Sequence, residues 1–305
     1  MMTSSLPNVS IFIPTFNDST DLLPCLKSIR GLNYPKHKME IVIWDNASTD
    51  DTVEMVRKQY SEMKKDGWLQ LKLIEWAKNE GSYIPYNLAL KHLSPQSQYI
   101  LGLDADVELS ENVLVDLINA AQEGGVVAVG GRSVYYDKPS QTPHGAGFVN
   151  QWTGFYSEKD PEKSIECDYV IGCCWLLNRN IFELIGGFDP DYYINHWEVD
   201  YCLRAKSRGY RILFEPKAVA RHKIPSDGTL NPGRIHSLYR NKIMLIKKTF
   251  HPPGKWVALT CNLALGLPKA IYDSFRRNKG YDGTEMKMIL RAFHDGWLNR
   301  TGQSP

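Results

Sequence analysis

Asp104 and Asp106 flank a single alanine directly after the apolar run 99–103. In an extended segment alternate side chains share one side, so both carboxylates face the same way. Two hard oxygen ligands at that spacing suit a divalent cation that also takes phosphate oxygens. Taken alone, the pair fits equally a turn with two solvated acids or a cap on the next helix. Its surroundings favour the metal reading, because two other short apolar runs also end in polar clusters. These are Pro14, Thr15, Phe16 and Asn17 after one run, and Asp45, Asn46, Ala47 and Ser48 after the other. The chain has no G-x-x-x-x-G-K-[ST] loop and no G-x-G-x-x-G after a strand pattern. A diphosphate bound here therefore needs its charge met by something other than glycine-rich backbone, and a cation on Asp106 would meet it.

The elements that must position these groups alternate in type. Residues 9–14, 40–44, 69–76 and 99–103 read as strands, and 21–29, 49–60 and 82–92 read as helices, with Asp50 and Thr52 as capping candidates for the second. Such alternation predicts an α/β fold with a Rossmann-like, mostly parallel sheet flanked by helices. Ligands of such sheets sit at the carboxyl ends of the strands, where the three polar clusters lie. The stretch 126–225 is mixed, with strands expected at 126–130, 169–177, 210–214 and 218–220. Helices are expected there at 179–185, stopped by Gly186 and Gly187, and at 199–208. From residue 233 the pattern is helical, broken at Pro252, Pro253, Gly254 and Pro268. The expected organisation is a catalytic α/β domain over 1–232 and a helical C-terminal extension over 233–305.

A near balance of 36 Lys+Arg against 34 Asp+Glu argues against a nucleic-acid binder. The basic residues are nevertheless uneven. Arg234, Arg240, Lys242, Lys247, Lys248, Arg276, Arg277 and Lys279 gather in the tail, among Trp256, Leu263, Leu265, Leu267, Ile271, Tyr272, Phe275 and Trp297. That mixture suits a membrane interface, packing on the catalytic part, or a homodimer contact. Cys25, Cys167, Cys173, Cys174, Cys202 and Cys261 show neither metal-type spacing nor a disulfide framework, and read as reduced, mostly buried thiols. The N-terminus lacks a basic segment ahead of an apolar one, and no stretch of about 20 apolar residues occurs. The expected location is the cytoplasm or, peripherally, the inner face of the membrane.

Several segments, in order, resemble family 2 of the inverting glycosyltransferases, which have the GT-A fold. The resemblance covers about residues 8–225. It consists of I-P-T-F-N (13–17), W-D-N-A-S-T-D-D-T (44–52), N-E-G-S-Y-I-P-Y-N-L-A-L (79–90), L-D-A-D-V (103–107), I-G-G-F-D-P-D-Y-Y (185–193), W-E-V-D-Y-C-L-R (197–204), G-Y-R-I (209–212) and A-R-H (220–222). It implies an enzyme that transfers a sugar from a nucleotide diphosphate, UDP- or dTDP-linked by preference, to a hydroxyl of a glycan or lipid-linked acceptor with inversion. Cell-surface polysaccharide or glycolipid assembly is the implied setting.

The resemblance also implies roles. Asp45 would bind the base or ribose, with Pro14, Thr15 and Asn17 lining the same pocket and the segment carrying Asn79, Gly81 and Asn87 completing the nucleotide side. Asp104 would contact the ribose or a metal-bound water. Asp106 would hold Mn²⁺ or Mg²⁺, joined by His222. The family's usual E-D-V-D-L-C-x-R aligns with Trp197-Glu198-Val199-Asp200, which places Trp197 at the usual Glu and Glu198 at the usual catalytic Asp. Glu198 is thus the expected general base. Asp189, Asp191, His196, Trp197 and Asp200 would shape the acceptor loop, although Asp189 and Asp191 also read as turn residues, His196 as a solvated loop residue and Asp200 as a helix cap or a group that orients the loop. Tyr239-Arg240-Asn241-Lys242 resembles a segment of rhamnosyltransferase-like members. A catalytically inactive nucleotide-sugar or glycan-binding protein is the alternative, favoured by Trp197 alone. A nucleotidyltransferase would carry a glycine-rich basic loop where Asn17, Asp18, Ser19 and Thr20 stand.

Overall fold

The computed structural model describes residues 6–81, 84–226, 232–277 and 283–302. Ser82 and Tyr83, at the start of the third expected helix, and Lys279 lie outside them. The elements run β1 (Val9–Thr15), α1 (Ser19–Arg30), β2 (Met39–Asp45), α2 (Thr52–Met63), β3 (Gln70–Glu75), α3 (Ile84–Ala89), β4 (Tyr99–Leu103), β5 (Val107–Leu109), α4 (Val113–Ala121) and β6 (Val126–Tyr135). They continue with β7 (Ala146–Val149), β8 (Tyr156–Lys159), β9 (Ile165–Cys167), β10 (Cys174–Asn178), α5 (Arg179–Ile185), α6 (Trp197–Ser207), β11 (Arg211–His222), α7 (Pro232–Thr249), α8 (Gly254–Cys261), α9 (Leu267–Arg277) and α10 (Gly283–Trp297).

Strand alternation sorts the core into two layers. Ile11 and Ile13 of β1 join Ile41 and Ile43 of β2 on one face, against Leu22 and Leu26 of α1, Val56 of α2 and Leu117 of α4. Phe12, Val42 and Trp44 take the other face, with Tyr86 of α3, Phe182 of α5, Tyr201 of α6 and Leu245 of α7. β1, β2 and β4 read as continuous apolar runs because both faces are covered, whereas β3, at the sheet edge, alternates with polar residues and is only partly buried. The sheet order is β3-β2-β1-β4-β10-β6-β11-β5, with β9 beside β11, and β7 and β8 form a separate hairpin. β3, β2, β1 and β4 are parallel. β10 then enters antiparallel between β4 and β6. The parallel half therefore carries the first three polar clusters on one edge, while the other half is mixed. This is the α/β, GT-A architecture with flanking helices that the sequence implied.

Three differences from the sequence reading have local causes. The strand expected at 169–177 shrinks to Cys174–Asn178, because the chain turns at Gly172, where a Cβ would lie 2.8 Å from the Trp197 ring. The two strands expected at 210–214 and 218–220 are one, β11, with a register irregularity between Glu215 and Val219. β5, β7, β8 and β9, of three or four residues each, are too short to show a period. Gly102, inside β4, is required by packing: it pairs with Trp175, and a Cβ there would sit 2.5 Å from that indole nitrogen.

Cys25, Cys167, Cys173, Cys174 and Cys202 are buried, Cys261 is partly exposed, and all six are free thiols, as read from their spacing. The segment 233–249 falls within α7, whose Ile243, Met244, Leu245 and Ile246, with Phe250 just after it, pack in the same cluster as Phe12 and Trp44. A smaller cluster joins Ile235 of α7 to Ala270 of α9 and Ile289 of α10.

Candidate active site

The chain leaves β4 through Asp104, Ala105 and Asp106 and immediately forms β5, which pairs antiparallel with the end of β11. The register seats His222 opposite Val107, so its imidazole arrives beside the two aspartates. His222 Nε2 lies 3.2 Å from Asp106 Oδ1 and 3.7 Å from Asp104 Oδ2. Ligand atoms of all three fall within 4.8 Å of one another. Ligands of a divalent ion bound at about 2.1 Å stand about 3 Å apart, so the spacing fits one cation. Two carboxylates and an imidazole are a donor set for Mn²⁺ or Mg²⁺. Burial pushes the Asp106 carboxyl up, but the hydrogen bond and charge of His222 outweigh it and hold it below the usual carboxylate value. For His222 burial disfavours the charged ring, yet Cys173 and Asp106 prevail and hold it well above an ordinary histidine.

A cavity of about 340 Å³ opens on this acidic pair. Pro14, Thr15, Asn46, Asn79 and Gly81 line one side, and Asp104, Asp106, Tyr193, Ile194 and Trp197 line the other. Its loops are tied together by side-chain amides: Asn46 Nδ2 donates to Gly81 O at 3.1 Å, and Gly81 N donates to Asn79 Oδ1 at 2.9 Å. Gly81 has φ +81°, and a Cβ would meet Tyr193 O at 2.8 Å, so this approach admits only glycine. Asp45, the neighbour of the lining residue Asn46, lines neither cavity and is 3% exposed. One of its oxygens accepts from Ser48 N at 3.1 Å, and the other, Oδ1, has no partner among the described residues. An unpaired buried carboxylate oxygen is costly, and a ligand hydroxyl or base N–H would satisfy it.

A second cavity of about 420 Å³ adjoins the first, and Asp104, Ile194 and Trp197 line both. Glu198 opens into it from the first turn of α6. Its side chain is buried, and Oε2 has no partner among the described residues. Desolvation, reinforced by the charge of Asp104, pushes its carboxyl up to about 7. A carboxylate whose proton affinity is raised toward neutrality, with one oxygen left free of protein partners among the described residues, is suited to accept a proton. The segment before it is irregular. Asn195 (φ 62°) and His196 (φ 66°) both take the left-handed conformation, which costs roughly 1 kcal/mol or more for each non-glycine residue. His196 is 4% exposed with neither ring nitrogen bonded among the described residues, and burial followed by the nearby Lys242 charge lowers it to about 3. Neutral His196 and the unpaired Tyr156 hydroxyl stand with ring centroids 5.5 Å apart, presenting polar groups to whatever enters.

The remaining expected residues bind the protein itself. Asn17 (φ 57°) accepts from Thr49 N at 2.8 Å, and its own N–H donates to Ser48 Oγ at 2.9 Å. Asn87 makes a two-way bond with Phe188, donating to its carbonyl at 2.8 Å and accepting from its N–H at 2.9 Å. Asp189 and Asp191 share Lys248 of α7, at 2.6 and 2.5 Å. Asp200 holds Arg204 at 2.7 Å, and Arg204 donates onward to Gly187 O at 2.7 Å. These four fix the loop 186–193 and α6, and none of the five lines either cavity. Trp197 is a wall, with Phe188, Tyr86 and Trp175 at centroid distances of 4.7, 5.6 and 5.6 Å. Sequence reasoning missed Tyr156, Tyr169 and Glu158, which the β7–β8 hairpin and the segment after β9 bring to the second cavity, and gave Arg234 no role there. Asn46 was within reach, as the neighbour of Asp45 in a polar cluster.

Comparison with known proteins agrees with the fold. Residues 10–186, over half of the chain, match the family model described as Glycosyl transferase family 2. The glycosyltransferase AglE of Haloferax volcanii is 26% identical over 229 residues, 75% of this chain and 71% of that protein. The N-acetylglucosaminyl-diphospho-decaprenol L-rhamnosyltransferase of Mycobacterium tuberculosis is 23% identical over 310 residues, covering 91% of this chain and 96% of its own. Among solved structures, the Pyrobaculum calidifontis mannosyltransferase PcManGT in complex with GDP-Man and Mn²⁺ superposes with a TM-score of 0.64 at 20% identity, over 97% of this chain and 89% of that one. At that identity the likeness establishes the fold.

Proposed function

This chain belongs to glycosyl transferase family 2, and on that premise we propose that it moves a sugar from a nucleotide diphosphate to an acceptor hydroxyl with inversion. The observation that carries the reading is Glu198: a buried carboxylate with an unpartnered Oε2, whose cavity shares a wall with the cavity edged by Asp104 and Asp106. The donor occupies the first cavity, with Asp45 and the Asn46–Asn79 side on the nucleoside. The acceptor enters the second, where His196 and Tyr156 meet its hydroxyls. Glu198 takes the proton of the attacking hydroxyl as the new C–O bond forms. One displacement from the face opposite the leaving group inverts the anomeric carbon and needs one base. Asp106 and His222, with Asp104 beside them, would hold Mn²⁺ or Mg²⁺, which would stabilise charge on the departing diphosphate. UDP- and dTDP-linked sugars are the first choice of donor, in the assembly of a surface polysaccharide or glycolipid. A thermal-shift series with UDP, dTDP and GDP, each with and without MnCl₂, tests this. At a nucleotide concentration of 100 times Kd, binding stabilises by about 2.7 kcal/mol, which moves Tm by several degrees. The expected result is such a shift with UDP or dTDP that requires the metal. Unmoved melting with all three would defeat the proposal.

The C-terminal helices suit a lipid-linked acceptor. α8 and α9 join through a π-helical turn, Asn262–Gly266. Trp256 is 61% exposed, and Leu263, Leu265, Tyr272, Phe275 and Trp297 are also exposed. Lys269, Arg276 and Arg277 carry the basic charge of α9, the first and the last two in sequence order. No helix among the described residues is long and apolar enough to cross a membrane. Lying in the interface would bury these apolar groups and set Arg276 against anionic headgroups, worth about 1 kcal/mol, while Lys269 and Arg277 pair with Asp273 and Glu285. The wild-type chain is expected to float with vesicles of phosphatidylcholine and phosphatidylglycerol, and the Leu265→Asp, Phe275→Asp double variant to stay below. Equal flotation of the two would discard this role for the face. A dimer by sedimentation without flotation would assign it to a second copy of the chain.

A further inference from the structure

The wall between the two cavities is the segment 194–198. Ile194 and Trp197 border both sides, and Asn195, His196 and Glu198 border the second. Before α6 begins at Trp197, this segment has left-handed residues and no strand pairing. Its fixed point is on another helix. Asn241 of α7, fully buried, donates through Nδ2 to Ile194 O at 2.7 Å and to Asn195 O at 3.0 Å. Arg240 Nε donates to Asn241 Oδ1 at 2.9 Å, which fixes which end of the amide faces the wall. The Arg240 guanidinium, itself buried, reaches Gly302 O at 2.8 Å. Asn195 returns a bond to Ser237 Oγ at 3.2 Å. Seven residues along α7, two helical turns and the same face, Lys248 grips Asp189 and Asp191 at the other end of the same loop.

We propose that Asn241 is a positioning residue: α7 clasps the segment 194–196 and thereby sets Glu198 at the boundary between donor and acceptor. The proposal rests on the reading of Glu198 as the base. Asn241 touches neither cavity and contributes no proton or charge. Its two donated bonds hold carbonyls that the irregular segment leaves without a ladder partner, and its orientation is fixed from the chain's far end through Arg240. The C-terminal helices thus act on the reaction through one amide.

Asn241→Leu keeps the volume and removes both donors, and Asn241→Ser keeps one short donor as a milder change. Hydrogen exchange on the full chain is the first readout. The expected result is at least tenfold faster exchange of the amides 195–200 in Asn241→Leu, a smaller effect in Asn241→Ser, and unchanged protection of β1 and β2. Wild-type rates at 195–200, or an equal loosening of β1 and β2, would overturn the clasp. The second readout is turnover of UDP-GlcNAc or GDP-mannose with MnCl₂. The variant is expected to lower kcat at least tenfold and to leave the donor KM within twofold, and an equal loss in donor KM would overturn positioning. Should the wild type turn over neither of these two donors, the exchange result alone decides the clasp, and the functional reading is decided separately by the melting series with UDP, dTDP and GDP.

Discussion

Glu198→Gln lowers kcat for transfer by roughly 10²–10⁴-fold, the range a general base contributes, and leaves the affinity for UDP with Mn²⁺ within about twofold. The amide keeps the shape of the side chain and cannot take the proton. Two further readings come with the same variant. In the wild type kcat/KM rises with pH through a limb near 7, because the carboxyl, pushed up to about 7 by burial and by Asp104, must be ionised to act. The stability consequence has the opposite direction. The unfolded chain releases this proton near 4.5 and the folded chain near 7, so between those values the folded state binds more protons and stability falls as pH rises. The cost at pH 8 is on the order of 3 kcal/mol. Glu198→Gln escapes it and is expected to melt several degrees above the wild type at pH 8, with the gap closing toward pH 4. Kinetics in single-turnover mode and melting across pH check both. Near-normal turnover would take the base role from Glu198, and equal melting at pH 8 would mean that its burial carries no cost.

The second large effect belongs to Asp106. It is the carboxylate nearest His222, at 3.2 Å, and its backbone carbonyl is held by Lys223 N at 3.1 Å, so its place is fixed from two sides. Asp106→Asn retains the hydrogen-bonding shape and loses the charge. Stabilisation of a leaving diphosphate by a cation is worth several kcal/mol, so turnover is expected to fall by roughly 10²-fold or more. The metal-dependent part of UDP binding should disappear as well. Chelation of the wild type with EDTA should reproduce the loss, and added Mn²⁺ should reverse it in the wild type far more than in the variant. Full activity in the chelated wild type would show that the acidic pair works without a cation.

The N-terminal half of this fold was open to reading because β1, β2 and β4 are buried on both faces and the helices are amphipathic. Runs such as 9–14 and 40–44 declare themselves by composition, and the polar residues that end them mark one edge of the sheet. The D-x-D pair was visible for the same reason. What stayed hidden depends on pairing across long separations. That His222 meets Asp106 follows from the β5–β11 register, and β5 has three residues. Tyr156 reaches the second cavity on a four-residue strand, which no period reveals. Asn17 and Asn87 sit in the right motifs, but their amides bond to Thr49 and Phe188. Motif position places a residue near a site without telling whether it faces the ligand or the scaffold. The Glu198 assignment depended on resemblance, and its burial and its unpaired oxygen are facts of packing.

The irregularity in β11 has a consequence for what this lineage can vary. Against β6, Glu215 stands opposite Gly131 and Val219 opposite Arg132, so three surplus residues are spent before the ladder resumes. Losing one of them would seat Lys223 opposite Val107 and rotate the imidazole to the reverse side of the sheet. Pro216 and Ala218 are buried, Ala218 within the core, and Lys217 is exposed, so side-chain identity is open at 217 alone while the count of three is held: the bulge works as a spacer gauge for the imidazole.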